Sequence, residues 1–232
     1  MRQTGFFHHI GSFLLFVAMI LLIITSISAP VVHNLSVLKV VLPNNNNEYT
    51  PDVTFGTFGY CIRQSTGDLC SRTHVGYDAG DVLEQQSPVD IDLSDYAAGT
   101  SNALTRVMVL HPVAAGMSFI AFLLALGAGV VGSFLASLVA LLTFLVTLVV
   151  LITDFVGFSI LKSAVNNSGS GATSEFGAAA WTLLASAVCN LLATVVIFFT
   201  CCSARLHNKR RASAKAERYD SPPVRSTSRR WF

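Results

Sequence analysis

The sequence predicts an all-α membrane bundle: four transmembrane helices with a small disulfide-tied β-sheet in the first extracellular loop. Three observations predict it. Only 12% of the 232 residues are charged, about half the roughly 25% usual in soluble chains, and mean hydropathy is +0.59. The apolar residues gather into long charge-free runs. The charges that remain are segregated: residues 30–105 hold nine acids against three bases, and the tail after Thr200 holds nine bases against two acids.

The first run, 10–29, is uncharged and 20 residues long, the length that crosses about 30 Å of hydrocarbon. A signal peptide is the rival reading, with Ser26 and Ser28 as small residues before a cleavage site. Signal cores are usually about 7–15 residues, so the length favours a retained helix. Residues 1–9 form its N-terminal flank. The block from Val107 to Thr153 is too long for one span at about 1.5 Å per residue. It breaks at "GAGVVGS", where three glycines suit a tight turn. The prediction is therefore two helices, 107–126 and 133–153, joined by a turn over 127–132, with Pro112 in the first turns of the earlier helix and Asp154 stopping the later one. After a loop at 154–177, the last span is 178–200, with Trp181 at an interface and Asn190 in mid-span as an interhelical hydrogen-bonding group. Gly116, Ala115, Ser137 and Ala185 are the small residues expected to pack the helices together.

Basic residues favour the cytoplasm. The tail, 201–232, is therefore cytoplasmic, and four spans return the N-terminus to the same side. Segment 30–106 lies outside. Its first part, 31–42, reads as a strand, 53–63 as a second and 69–77 as a third. Residues 79–100 show no period and read as loop. In an oxidising exterior Cys61 and Cys70 pair as a disulfide closing a hairpin around "STGD". The loop is short, so the stabilisation is about 2–3 kcal/mol. Zinc is the alternative, but two cysteines with eight residues between them and His74 nearby make an incomplete ligand set. Cys189 reads as a small apolar residue. Cys201 and Cys202, where the last span meets the basic tail, are candidates for S-palmitoylation, with free thiols as the alternative. Asn34 and Asn166 begin N-x-S sequons, and Asn166 is the better placed for glycosylation.

Several blocks together resemble a known family. They are "SISAP" after the first helix, "FGTFGYC", the second cysteine, "VGYD", "LTRVMVLHPVAAGMSFIAFLLAL" and "DF". The sequence is similar to the fungal PalI family, which includes the pH-response regulator PalI and cortical-patch and eisosome membrane proteins. The resemblance implies four spans in a claudin-like layout and residence in the plasma membrane, in cortical patches or at a growing tip. It implies organisation of cortical membrane domains, or help in placing an ambient-pH receptor. Gly56, Gly59, Cys61, Cys70, Gly76 and Tyr77 match its exterior motif, and His111 and Pro112 its second-helix motif. The tail runs only about thirty residues past the last helix, whereas the pH regulators can carry a long cytoplasmic extension, which tilts the expectation toward cortical organisation.

No catalytic, cofactor or nucleic-acid motif appears: no phosphate-binding glycine loop, GxSxG or HExxH. No Asp, Glu, Lys or Arg stands at mid-depth of a span, which argues against a pump. A non-enzymatic scaffold is the leading expectation, a regulatory subunit of a pH-signalling receptor the alternative, and a small channel the second alternative. Partners would be other membrane proteins, a second copy, and membrane lipids, with anionic lipid at the basic tail. His33, His74 and His111 pose a pH-sensing question, with ordinary surface or interfacial roles as the plain answer. The tail reads as disordered, and Ser213 and Ser221 are candidate phosphorylation sites there.

Overall fold

The computed structural model describes residues 6–32, 34–43, 50–65, 67–86, 105–127 and 130–220, without the side chains of 7, 130, 131, 133, 204–212 and 214–220. The elements in chain order are α1 (Phe6–Ser26), β1 (Leu38–Val41), β2 (Asp52–Phe55), β3 (Tyr60–Gln64), β4 (Gly67–Cys70), α2 (Ala79–Gln86), α3 (Leu110–Leu126), α4 (Val130–Asn167), β5 (Thr173–Phe176) and α5 (Ala178–Asp220). Four of the helices, α1, α3, α4 and α5, are long and apolar enough to cross a membrane. They form a ring in which α1 packs on α3 and α5, and α4 closes the other side. The start of α1 meets the end of α3, where His8 Nε2 pairs with Ala125 C=O at 2.8 Å, and this end of the bundle is here the tail end. The sheet sits at the other.

The bundle core is built from small residues. Ala121, Ala125, Ala136, Ala140 and Ala193 surround Leu15 and Ile197 toward the tail end. Ala114 and Ala115 meet Leu22, Val150 and Leu183 toward the sheet. Alanines let helix backbones approach closely, which gains dispersion contact where lipid removes the hydrophobic incentive. Of the four small residues expected at the seams, Ala115 and Ser137 are buried. Gly116 and Ala185 face outward instead, because the helical phase that buries Ala114, Ser118 and Ala121 on α3, and Leu183 and Ser186 on α5, turns them away. Asn190 performs its expected role: its Nδ2 donates to Thr147 Oγ1 at 3.3 Å and its Oδ1 accepts from Ser118 Oγ at 3.3 Å, joining three helices.

The five-stranded sheet is antiparallel, in order β4-β3-β2-β1-β5. The stretch expected as one strand over 53–63 is two strands, because the chain reverses between them: Gly56 N–H donates to Gly59 C=O at 2.8 Å. Residues 79–100 were expected as loop, but α2 forms at their start. Asp78 Oδ1 accepts from the Gly80 and Asp81 N–H groups at 2.9 and 3.3 Å, the N-cap that a short helix requires. Residues 87–100 lie outside the described residues.

Two further expectations are corrected. Asp154 does not stop its helix. α4 runs on to Asn167, about 57 Å in all at 1.5 Å per residue. Phe158, Leu161 and Val165 continue the apolar period and pack with Val40, Leu42 and Val53 of the sheet. The expected loop at 154–177 is therefore mostly helix, followed by β5. The tail is likewise helical through Asp220 rather than disordered from 201. Residues 201–220 are rich in Ala, Arg and Lys, good helix formers that extend an existing helix without a new nucleation cost. Residues 221–232 lie outside the described residues.

Candidate functional site

The sequence blocks that suggested a family lie far apart along the chain, yet five of them meet in one place, the junction of sheet and bundle. The β2–β3 turn docks on the end of α1. Thr57 N–H donates to Ser28 Oγ at 2.9 Å, and Thr57 Oγ1 donates to Thr25 C=O at 2.9 Å. Gly56 lies so close to Ala29 that a Cβ would strike the Ala29 backbone. The "SISAP" and "FGTFGYC" blocks are thus two halves of one contact. Tyr77, of "VGYD", closes it from above. Its hydroxyl donates to Gly56 C=O at 2.6 Å, and its ring stacks on Phe55 with centroids 6.1 Å apart. Gly76, just before it, has φ +76, a left-handed conformation that favours glycine. Thr105 then ties Tyr77 to the start of the α3 segment, accepting from Tyr77 N–H at 3.0 Å and donating to Tyr77 C=O at 2.8 Å.

Beneath Tyr77 lies the feature that the sequence did not announce. His111, in the first turn of α3, places Nε2 3.1 Å from Asp154 Oδ2 on α4. Both side chains are buried, at 0% and 2% exposure. His111 Nδ1 pairs with Met108 C=O at 2.9 Å, which assigns the Nδ1 proton and leaves Nε2 to face the carboxylate. Neither Nε2 nor the Asp154 oxygens meets an aligned hydrogen-bond partner, so the pair is defined by proximity and shared burial. A cavity of about 10 Å³, bordered by Thr105, Thr153, Asp154 and Gly157, has about the space of one water. His111 is therefore neither a surface nor an interfacial residue. Burial, and then the charge of Asp154, push the Tyr77 phenol far above its ordinary value. Asp154 was missed because it was read as a helix stop; the apolar period continuing through Phe155, Phe158 and Leu161 was the signal that it stood inside a helix.

Elsewhere the Cys61–Cys70 disulfide is present and bridges β3 and β4 at opposed positions. Gly59 packs against Ser71 and Pro30. Pro112 sits beside His111 on the outer face of α3, where the first helical turn tolerates its missing N–H. Asn166 is exposed near the end of α4, and its Oδ1 accepts from Ser174 N–H at 2.8 Å, fastening β5. Arg63 donates to Asn34 Oδ1 at 2.9 Å. Cys201 is buried and Cys202 half-buried. His74 is exposed, pairing Nδ1 with Gly76 C=O at 2.8 Å. His33 and Ser221 lie outside the described residues. Among the described residues no group of three or more His, Cys, Asp and Glu could hold a metal ion.

Four apolar spans capped at one end by a disulfide-bonded antiparallel sheet define a multi-pass membrane protein of claudin-like layout. The chain belongs to the SUR7/PalI family, whose match runs over residues 4–193. It is similar to the pH-response regulator protein palI/prr-5 of Neurospora crassa, 32% identical over 113 residues, which is 49% of this chain and 14% of that protein. It is 32% identical over 109 residues to the pH-response regulator protein palI/RIM9 of Pyricularia oryzae, covering 47% of this chain and 13% of that one. The membrane protein TOS7 of Saccharomyces cerevisiae is 29% identical over 108 residues, 47% of this chain and 16% of its own length. The chain thus spans less than a fifth of the length of each of these relatives.

Proposed function

We propose that the protein is a non-catalytic plasma membrane scaffold that positions neighbouring membrane proteins through its sheet, with both termini in the cytoplasm. One observation carries this reading: the sheet is not a loop hung on the bundle but a rigid continuation of it. β5 enters the sheet from the α4–α5 connection, and Ala179 N–H, in the first turn of α5, donates to Ser36 C=O at 2.9 Å. Strand β4 forms one edge with all four residues exposed, Leu69 among them. A fixed edge with an apolar side chain suits recognition by an added strand or a neighbouring exterior surface. The mid-bundle polar groups Ser118, Asn190 and Thr147 bond to one another, which supports a packed bundle rather than a channel.

The test is fluorescence imaging of a tagged protein with proximity labelling in one fungal strain. Stable cortical patches with a reproducible set of labelled membrane neighbours, lost on Leu69→Asp while membrane insertion persists, support the scaffold. Diffuse distribution with no selective neighbours refutes it. A second reading, support of an ambient-pH receptor, draws on the similarity to the pH-response regulators of Neurospora and Pyricularia. Loss of that receptor from the membrane on deletion of this protein, with unchanged cortical patches, selects it.

A further inference from the structure

The outer surface of the bundle carries a groove between α4 and α5 at the tail end, which neither the junction nor the scaffold reading uses. It encloses about 430 Å³ and is lined by Ser137, Leu138 and Leu141 on one wall and by Thr194, Val195 and Phe198 on the other. That volume lies within the ~300–1,000 Å³ typical of small-molecule sites. The wall is apolar despite its two hydroxyls. Ser137 Oγ donates to Phe134 C=O at 2.8 Å and Thr194 Oγ1 donates to Asn190 C=O at 2.8 Å, so both are satisfied within their own helices. An occupant here needs a hydrocarbon part.

The sequence beyond the groove supplies the other half of the recognition. α5 continues without a break to Asp220, and Arg205 and Lys209 stand seven and eleven residues after Phe198. Those offsets fall on the same helical stripe as Phe198, about 10–17 Å further along the axis at 1.5 Å per residue. An occupant with its chain against Phe198 would carry its polar end at that height, since one leaflet of hydrocarbon is about 15 Å thick. We infer that this groove binds one anionic glycerophospholipid, an acyl chain lying between α4 and α5 and the phosphate-bearing headgroup at Arg205 and Lys209. A second copy of the chain is the competing occupant. Two-fold pairing across this groove would set two α5 extensions side by side, each tail bearing nine bases against two acids, so like charges oppose it.

Native mass spectrometry of the full-length protein tests this, released from micelles containing phosphatidylserine and phosphatidylcholine with identical acyl chains. The expected result is one retained phosphatidylserine, preferred over phosphatidylcholine by on the order of tenfold. Arg205→Gln with Lys209→Gln should remove most of that preference and leave phosphatidylcholine retention unchanged. Leu138→Trp fills the groove and should abolish retention of both lipids. Phe198→Ala removes half-exposed bulk, 51% accessible; it should lower retention severalfold without unfolding the bundle, and serves if the tryptophan variant does not fold. Equal retention of the two lipids by the wild-type protein overturns the inference. So does retention indifferent to either groove variant, or a dimer mass that Leu138→Trp converts to monomer.

Discussion

The His111–Asp154 pair yields the sharpest test, because a buried polar pair has an asymmetric energy. At 3.1 Å, a protonated imidazole and an ionised carboxylate would attract by about 5 kcal/mol at the effective dielectric of roughly 20 that suits protein sites. Burial at 0% and 2% side-chain exposure removes both groups from water, and that desolvation offsets most of the attraction. Removing one partner therefore costs far more than removing both. Asp154→Leu or His111→Leu alone leaves an uncompensated buried group and should destabilise by about 3–5 kcal/mol. In a chain of this size that lowers Tm by about 6–20 °C, at roughly 2–4 °C per kcal/mol. The double replacement should recover most of the loss. Met108 C=O would give up the imidazole but keep the His111 backbone N–H as a partner at 3.0 Å. The assay is thermal unfolding of the four proteins in one detergent, followed by circular dichroism and arranged as a double-mutant cycle. Single losses below about 1 kcal/mol, within the range of exposed pairs, would refute the reasoning. So would a double loss equal to the sum of the singles.

Three further outcomes are expected. Cys70→Ser opens the loop of sequence separation 9 and should cost about 2–3 kcal/mol by loop-closure entropy, read as a fall in Tm that reductant no longer deepens; an unchanged melt counts against a structural bridge. Gly56→Ala places a Cβ into the Ala29 backbone and should cost several times the ~1 kcal/mol of an ordinary substitution, with limited proteolysis appearing first in the 30–86 region; a neutral result would mean that the turn does not dock there. Tyr77 has a folded-state phenol held above its ordinary 10.0, so its contribution is fully present below pH 10 and is lost as pH rises beyond it. Tyr77→Phe should lower stability at pH 8 by about 1 kcal/mol for the hydrogen bond to Gly56 and flatten the alkaline decline, and a decline of unchanged steepness would show that another group governs it.

What the sequence disclosed follows from the range of each interaction. The spans declared themselves because a charge-free run of sufficient length is a local property, and the disulfide because oxidation and spacing are local too. Element boundaries failed where a distant contact decided them. A single strand over 53–63 was a fair reading of "VTFGTFGYCIR", yet Gly56 and Gly59 turn the chain so that Thr57 can reach Ser28 and Thr25. Asp154 looked like the polar end of a helix because nothing nearby in sequence neutralises it; its partner is 43 residues away at His111. Two local signals were passed over: the apolar period that continues past Asp154, and the capping aspartate before α2, since Asp78 with Asp81 two residues into the helix marks an N-terminus.

The same contrast explains why short blocks across this chain carry its family resemblance. A protein acting as the scaffold proposed above must keep its sheet in fixed relation to its spans, and a sheet tethered by flexible connections would not. Here the fixing is done by a few unusual choices at one level of the molecule: a glycine where two backbones touch, a left-handed glycine ahead of a tyrosine that seals the contact, a threonine that bonds both ways, and a buried histidine–aspartate pair below. Each is hard to replace singly. The lipid-facing surfaces outside the α4–α5 groove need only be apolar, and the exposed edge strand β4 is free to vary with what it meets. On the scaffold reading, change should therefore be tolerated along the membrane faces outside the α4–α5 groove and in the tail beyond Lys209, and should alter partners at β4, while any loosening of the junction uncouples the sheet from the helices that anchor it.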